Sequence, residues 1–173
     1  AIGQTNLGYM YDKGRGVTQD YKLALSWYRK AANQGNSTAQ NNLGVMYEKG
    51  QGVSKDFKQA FKWYLKSANQ GNDFGQTNLG YMYEEGRGVT QDYKLAVSWY
   101  RKAANQGYST AQTNLGYMYE EGRGVTKDYK LAVSWYRKAA NQGNSRGQTN
   151  LGYMYDYGYG VTQDYKLAVS WYR

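Results

Sequence analysis

Cysteine, histidine and proline are all absent from the 173 residues of this chain. Without cysteine and histidine there is no disulfide bond, thiol nucleophile, imidazole base or usual zinc site. Without proline, no helix is interrupted by a residue that lacks a backbone N–H donor. No apolar run approaches the roughly 20 residues that a membrane-spanning helix needs. The composition therefore predicts no cofactor, no metal site and no membrane span.

One segment, by contrast, is present five times. The stretch 78–92, N-L-G-Y-M-Y-E-E-G-R-G-V-T-Q-D, recurs in similar form every 36 residues, the distance from Leu43 to Leu79. A fixed period of this length indicates a stack of similar supersecondary units. A single unit buries little core by itself, so we predict one elongated domain over residues 1–173. The units are 1–36, 37–72, 73–108, 109–144 and a shorter 145–173.

Each unit is predicted to form two antiparallel helices joined by a tight turn. In the second unit, Ser37 is predicted to cap a first helix over about 38–49, supported by a glutamine three residues later. Gly50 suits a left-handed C-cap, and Gly52 suits a second positive-φ position in the turn. Asp56 is predicted to cap the second helix.

Close packing between the helices is predicted from two features. Gly44 lies beside the apolar face of the first helix, where glycine costs about 1 kcal/mol relative to alanine. Its repetition in every unit indicates that another helix passes too close for a Cβ. The second helix carries Trp63 and Tyr64 on one face, so we predict that both are core residues, as is Trp99 in the third unit.

The net charge of +9 first suggests nucleic acid or another anionic partner. The charges are unevenly placed: most charged residues of the first-helix segments are acidic, and all charged residues of the second-helix segments are basic. The second-helix cations favour either a solvated outer face, where they complement helix C-termini, or a face that binds an anionic polymer. The solvated face is the preferred interpretation, which argues against nucleic acid as a partner.

Two motifs resemble catalytic or phosphate-binding sites. Glu84-Glu85 and Glu120-Glu121 are paired carboxylates, but catalytic pairs need different environments, and these recur at the same helical place. The Gly-Arg-Gly-Val at 86–89 has no preceding strand and no following Gly-Lys-Ser/Thr, so it is interpreted as a helix stop and turn. We therefore predict a protein that is not an enzyme, with no catalytic residue.

The repeated pattern is A-x-x-N-L-G-x-M-Y-x-x-G-x-G-V-x-x-D-Y-K-x-A-x-x-W-Y-x-K-A-A-N-Q-G, and it resembles the Sel-one-like repeat (SLR), a relative of the tetratricopeptide repeat. The resemblance implies an all-α, right-handed α-solenoid whose first helices line the concave side. It also implies a scaffold or adaptor role, frequent in bacterial periplasmic or secreted proteins, although no signal peptide is visible here. A cysteine-rich subgroup has been linked to β-lactam binding, which is not transferred to a chain without cysteine.

By the same resemblance, the concave groove is expected to bind a protein or peptide. Two other function classes stay open: an enzyme or binder of cell-wall or β-lactam compounds, and a binder of anionic polymers through the basic second helices. The ten expected groove residues are Thr77, Tyr81, Glu84, Glu85, Thr113, Tyr117, Glu120, Glu121, Tyr153 and Tyr157.

The last unit stops at Arg173, before the Lys-Ala-Ala-Asn-Gln-Gly that closes the other units. Repeat arrays normally need polar capping units, so we expect exposed apolar surface there and a tendency toward end-to-end self-association.

Overall fold

The computed structural model describes all 173 residues. It is all-helical, with ten α-helices and no strand, and each repeat supplies a first helix and a second helix. The helices are α1 (Ile2–Lys13), α2 (Tyr21–Asn33), α3 (Ser37–Lys49), α4 (Phe57–Asn69), α5 (Asp73–Glu85), α6 (Tyr93–Asn105), α7 (Ser109–Glu121), α8 (Tyr129–Asn141), α9 (Ser145–Tyr157) and α10 (Tyr165–Tyr172). The predicted helical pair per repeat is confirmed.

The helices form two compact units, Ala1–Gln91 and Asp92–Arg173. In the first unit, α1 to α5 pack in chain order, and α3 also contacts α5. In the second unit, α6 to α10 do the same, and α7 also contacts α9. The first helices α3 and α5 are therefore neighbours in the first unit, and α7 and α9 are neighbours in the second.

The N-caps of α3, α5, α7 and α9 lie one residue earlier than predicted. The cap of α3 is Asn36, whose Oδ1 accepts a hydrogen bond from the Ala39 amide at 2.8 Å. Ser37 is already helical, so the prediction that it is the cap is wrong. Gln40 does not reach back to the cap either, because its amide lies 3.2 Å from the carbonyl oxygen of Ala32 on the preceding helix.

The predicted cap of the second helix is confirmed, because Asp56 accepts a hydrogen bond from the Gln59 amide at 3.0 Å. The turn glycines are also confirmed: Gly50 has φ 72° and Gly52 has φ 69°. Gly52 has a second role that the sequence did not show. A Cβ on it would collide with the backbone of Tyr21 in the preceding repeat. This glycine therefore serves both the turn and the contact between repeats.

The close approach at Gly44 is confirmed, and the group that approaches is an aromatic ring. A Cβ on Gly44 would lie 2.6 Å from Cδ1 of Tyr64, which is fully buried. The prediction that its neighbour Trp63 is a core residue is confirmed only in part, because Trp63 packs against the core without being fully buried. Trp63 is half-buried, and the Lys66 Nζ lies 4.2 Å from the centre of its ring. Trp99 is likewise half-buried beneath Lys102, so tyrosine, and not tryptophan, is the fully buried aromatic residue of the first four repeats. In the last repeat the equivalent Tyr172 is exposed.

Candidate binding surface on the first helices

The two threonines expected in the groove are buried. Thr77 is 5% exposed and donates a hydrogen bond to the carbonyl oxygen of Asp73, 2.8 Å away. Thr113 is 1% exposed, and its hydroxyl lies 3.0 Å from the carbonyl oxygen of Ser109 and 3.2 Å from Oδ1 of Asn144. Asn144 is the N-cap of the next first helix. Both threonines therefore bond to their own helix, and Thr113 also joins it to the next first helix.

Glu120, the first residue of its acidic pair, and Glu48, at the same place in the second repeat, accept hydrogen bonds from buried tyrosines. The Tyr136 hydroxyl donates a hydrogen bond to Glu120, and the Tyr64 hydroxyl donates to Glu48 at 2.7 Å. Burial raises the pKa of both tyrosines above its ordinary value, and the neighbouring glutamates add to that effect, so the hydroxyls keep their protons and remain donors. Glu84 occupies the same place and is buried.

The second acidic residue of each pair faces solvent. Glu85 and Glu121, the last residues of α5 and α7, are both exposed. The corresponding residues of the first two repeats are the exposed lysines Lys13 and Lys49, and in the last repeat the residue is Tyr157. The ends of the first helices are therefore basic in the first two repeats, acidic in the next two and aromatic in the last.

The groove tyrosines of the middle repeats each carry an arginine on their ring. The Arg87 guanidinium carbon lies 5.0 Å from the ring centre of Tyr81, and Arg87 Nη1 lies 3.7 Å from Oε1 of Glu48. The Arg123 guanidinium carbon lies 5.1 Å from the ring centre of Tyr117. Each arginine also faces an aromatic ring of the preceding repeat, Phe57 for Arg87 and Tyr93 for Arg123. Such stacking orders both the tyrosine and the turn arginine.

The last repeat replaces this arginine with Tyr159. Its ring stacks on Tyr129 with centroids 4.9 Å apart, and lies 5.8 Å from Tyr157 and 5.9 Å from Tyr153. Tyr153 and Tyr157 are 4.6 Å apart. We call Tyr129, Tyr153, Tyr157 and Tyr159 the tyrosine cluster. Tyr157 is 56% exposed and Tyr153 is 38% exposed, so much of the cluster faces solvent.

The sequence predicts Tyr153 and Tyr157 as groove residues and marks Tyr159 as a tyrosine that departs from the repeat pattern, but it does not predict that Tyr159 and Tyr129 pack with them. The signal was available in the repeat alignment, because Tyr159 is the one aromatic residue in a column that otherwise holds arginine or glutamine. What the sequence alone did not show is that this column contacts the second helix of the preceding repeat. The structure makes that contact explicit in each unit.

Many of the basic residues on the second helices make contacts within the molecule. In each of four repeats a lysine ammonium lies over the tryptophan one turn earlier, at 3.9 Å for Lys102 on Trp99. Arg101 and Arg137 donate hydrogen bonds to Tyr119 and Tyr155 on the next first helix, at 2.8 and 2.6 Å. Much of the positive charge therefore covers aromatic rings and joins successive repeats.

No group of three or more His, Cys, Asp or Glu residues is arranged to hold a metal ion. None of the ten helices combines the length and the apolar character that crossing a membrane requires.

Comparison with known proteins places the chain in a family. The Sel1 repeat matches residues 1–36, 37–72, 74–108, 109–144 and 145–173. A protective antigen of uropathogenic Escherichia coli strains, whose crystal structure displays an SLR fold, is 46% identical over 98% of this chain, with a TM-score of 0.90. This chain spans only 36% of that antigen. No curated protein sequence matches significantly.

Two further solved structures support the same fold. A Sel1 repeat protein from Oxalobacter formigenes is 42% identical over 99% of this chain and 68% of its own, with a TM-score of 0.93. Helicobacter pylori cysteine rich protein B is 26% identical over 75% of this chain and 92% of its own, with a TM-score of 0.59. Sel1 repeat proteins are helical solenoids that generally serve as scaffolds for protein interactions and are typically non-catalytic. The chain belongs to the Sel1 repeat family.

Proposed function

We propose that this chain binds an extended peptide segment of a partner protein through its first helices, and that the tyrosine cluster is the main contact. The observation that carries the proposal is the exposure of Tyr153 and Tyr157 within a group of closely packed rings. Tyrosine offers a large rigid surface and a hydroxyl group at a low entropic cost, and it is enriched among residues that dominate interface energies.

The chemistry of the partner is indicated by the neighbouring repeat. There, the Arg123 guanidinium stacks on Tyr117, the tyrosine equivalent to Tyr153. The last repeat has Tyr159 in place of that arginine, and Glu121 lies exposed on the preceding first helix. A partner arginine or lysine fits here, stacked on the tyrosines and attracted by the glutamate.

This surface supports a peptide-binding function better than the basic second helices support an anionic polymer. Lysine and arginine side chains of the second helices are in contact with the tryptophan and tyrosine rings described above. Binding a polymer there competes with these contacts. The tyrosine cluster, in contrast, can bind without displacing a side chain that bridges two repeats.

The proposal is tested by photo-crosslinking from position 157 to recover a bound peptide, followed by calorimetry with that peptide. We expect Tyr153→Ala with Tyr157→Ala to weaken binding at least tenfold, about 1.4 kcal/mol, while leaving helicity intact. Tyr157→Phe keeps the ring and is the matched control, with binding near that of the wild type. Glu121→Lys should mainly slow association at low salt.

Lys130→Glu with Lys166→Glu changes the exposed start of the second helices in the same unit. If this pair abolishes binding and the tyrosine variants bind normally, the peptide-binding proposal is wrong and the basic face is the site.

A further inference from the structure

The first repeat contains a buried hydroxyl group without a partner. Tyr28 is 1% exposed, and its hydroxyl oxygen makes no hydrogen bond. A buried hydroxyl without a hydrogen bond lowers the stability of the folded chain, because its lost contact with water is not replaced. Tyr28 faces a cavity of about 120 Å³ that lies among α1, α2 and α3, within the first compact unit.

The equivalent tyrosines show what partner is missing. Tyr64 and Tyr136 donate to the carboxylates of Glu48 and Glu120. In the first repeat the acidic residue is Asp12, which is one methylene shorter and instead forms an ion pair with Lys13 at 2.9 Å. In this fold, the natural partner of the tyrosine hydroxyl is therefore a carboxylate, and in the first repeat that place is open.

Two other departures from the repeat pattern enlarge the space. Val45 lines the cavity where the other four repeats have tyrosine, and Gln51 lines it where Arg87 and Arg123 stand in the middle repeats. Both replacements are smaller than the residues they replace. The cavity is therefore a product of coordinated sequence differences around Tyr28, and it is larger than the space one water molecule needs.

The electrostatic surroundings favour a negatively charged guest. Lys13 and Lys49 line the cavity, at the helix position that holds Glu85 and Glu121 in the third and fourth repeats. The Asp12 charge is offset by Lys13, and Asn42 adds an amide to the wall. Burial raises the pKa of the Tyr28 hydroxyl, so it remains protonated and able to donate.

We propose that this cavity binds a carboxylate group supplied by a peptide, either an acidic side chain or the C-terminus. Tyr28 donates the hydrogen bond that Tyr64 gives to Glu48, and Lys49 supplies the balancing charge. This site is separate from the tyrosine cluster and does not depend on it, since its residues all belong to the first two repeats.

The test is an NMR titration of the full chain with two carboxylate probes and a neutral control. N-acetylglycine carries a chain-terminal carboxylate, N-acetylglutamate α-amide carries a side-chain carboxylate, and N-acetylglycine amide carries none. We expect saturable shifts of the Tyr28 ring and the Asn42 side-chain amide with at least one acid, and none with the amide. The acid that binds more tightly identifies the source. Equal response to the amide, or no saturable response to either acid, would overturn the proposal.

Three variants locate the binding. Asp12→Glu supplies an internal carboxylate that reaches Tyr28, so we expect at least a tenfold rise in the dissociation constant. Tyr28→Phe keeps the ring against Gly8 and removes only the donor, with a similar expected rise. Tyr136→Phe removes a hydroxyl already bonded to Glu120 and should leave binding unchanged. If Asp12→Glu and Tyr28→Phe bind the probe as tightly as the wild type, the cavity is not the site.

Discussion

Repeats 1 and 2 place the same tyrosine in the same packing environment but complete its hydrogen bonding differently. Tyr28 and Tyr64 are both buried, and each ring packs against a glycine of the first helix, Gly8 or Gly44. Tyr64 donates to Glu48 at 2.7 Å, whereas Tyr28 has no partner. The shorter Asp12, which pairs with Lys13, and the smaller Val45 and Gln51 together distinguish the open cavity of the first repeat from the satisfied core of the second.

This comparison shows where function is to be sought in a repeat protein. Residues that recur from repeat to repeat, such as the glycine and the tyrosine, form the packing within the stack, so they are not available to bind a partner. Residues that depart from the pattern, such as Asp12, Val45 and Tyr159, leave a cavity or an exposed cluster. Both of our proposals therefore rest on departures from the repeat pattern.

The largest expected effect, summed over both tyrosines and about two pH units above their ordinary pKa, comes from the burial that the two tyrosines share. Their pKa values are raised above the ordinary value of 10.0, so the folded chain keeps protons that the unfolded chain releases. Stability is therefore full below about pH 10 and falls at higher pH, by about 1.4 kcal/mol per pH unit for each such tyrosine. Chemical denaturation at rising pH measures this loss. Tyr28→Phe and Tyr64→Phe should each reduce its slope by the same amount, and an unchanged slope would contradict the burial argument.

The next effect compares Tyr64 with its neighbour Trp63. Tyr64→Ala should cost about 3–5 kcal/mol, because it removes a fully buried ring and leaves a cavity. Trp63→Ala should cost less than half as much, because Trp63 is half-buried and partly covered by Lys66. Urea denaturation of both variants checks the order. If Trp63→Ala loses more stability than Tyr64→Ala, the conclusion that tyrosine is the central core residue is wrong.

The sequence predicted the features that depend on local chemistry or on simple steric exclusion. The Asp56 cap, the positive-φ Gly50 and the close approach at Gly44 all belong to this kind, since each follows from one residue type at one place in the repeat. The choice between Asn36 and Ser37 as cap did not follow, because both are good capping residues and the register of the helix decides between them.

The sequence also did not distinguish Trp63 from Tyr64. Both are aromatic and lie one residue apart on a helix, so the apolar face includes both, and only the ring that meets Gly44 is fully enclosed. In the candidate site, the resemblance to the repeat family implies Tyr153 and Tyr157 as groove residues but places Thr77, Thr113 and Glu84 beside them. The structure buries those three. Thr113 contacts the next first helix, and the equivalents of Glu84 accept hydrogen bonds from the second helix, and the period of a single helix predicts neither contact.

The smallest expected effect is the stability change when each tyrosine loses only its hydroxyl group, which tests the difference in hydrogen bonding between Tyr28 and Tyr64. Tyr64→Phe leaves the Glu48 carboxylate without its donor and should cost about 1–3 kcal/mol. Tyr28→Phe removes a hydroxyl that has no partner, so its stability should stay within about 0.5 kcal/mol of the wild type, or rise. Thermal and urea unfolding of the two variants give the difference directly.

A double-mutant cycle with Asp12→Glu completes this test. Glutamate at position 12 is long enough to accept from Tyr28, as Glu48 does from Tyr64, so Asp12→Glu should stabilise the chain by about 1 kcal/mol. In that background Tyr28→Phe should become as costly as Tyr64→Phe, with a coupling of about 0.5–3 kcal/mol between positions 12 and 28. Because the aromatic ring at position 28 packs against Gly8 in both backgrounds, the coupling reports the hydroxyl and the carboxylate alone. Zero coupling would mean that Tyr28 is already satisfied in the wild type, and the difference between the two repeats would then have no energetic consequence.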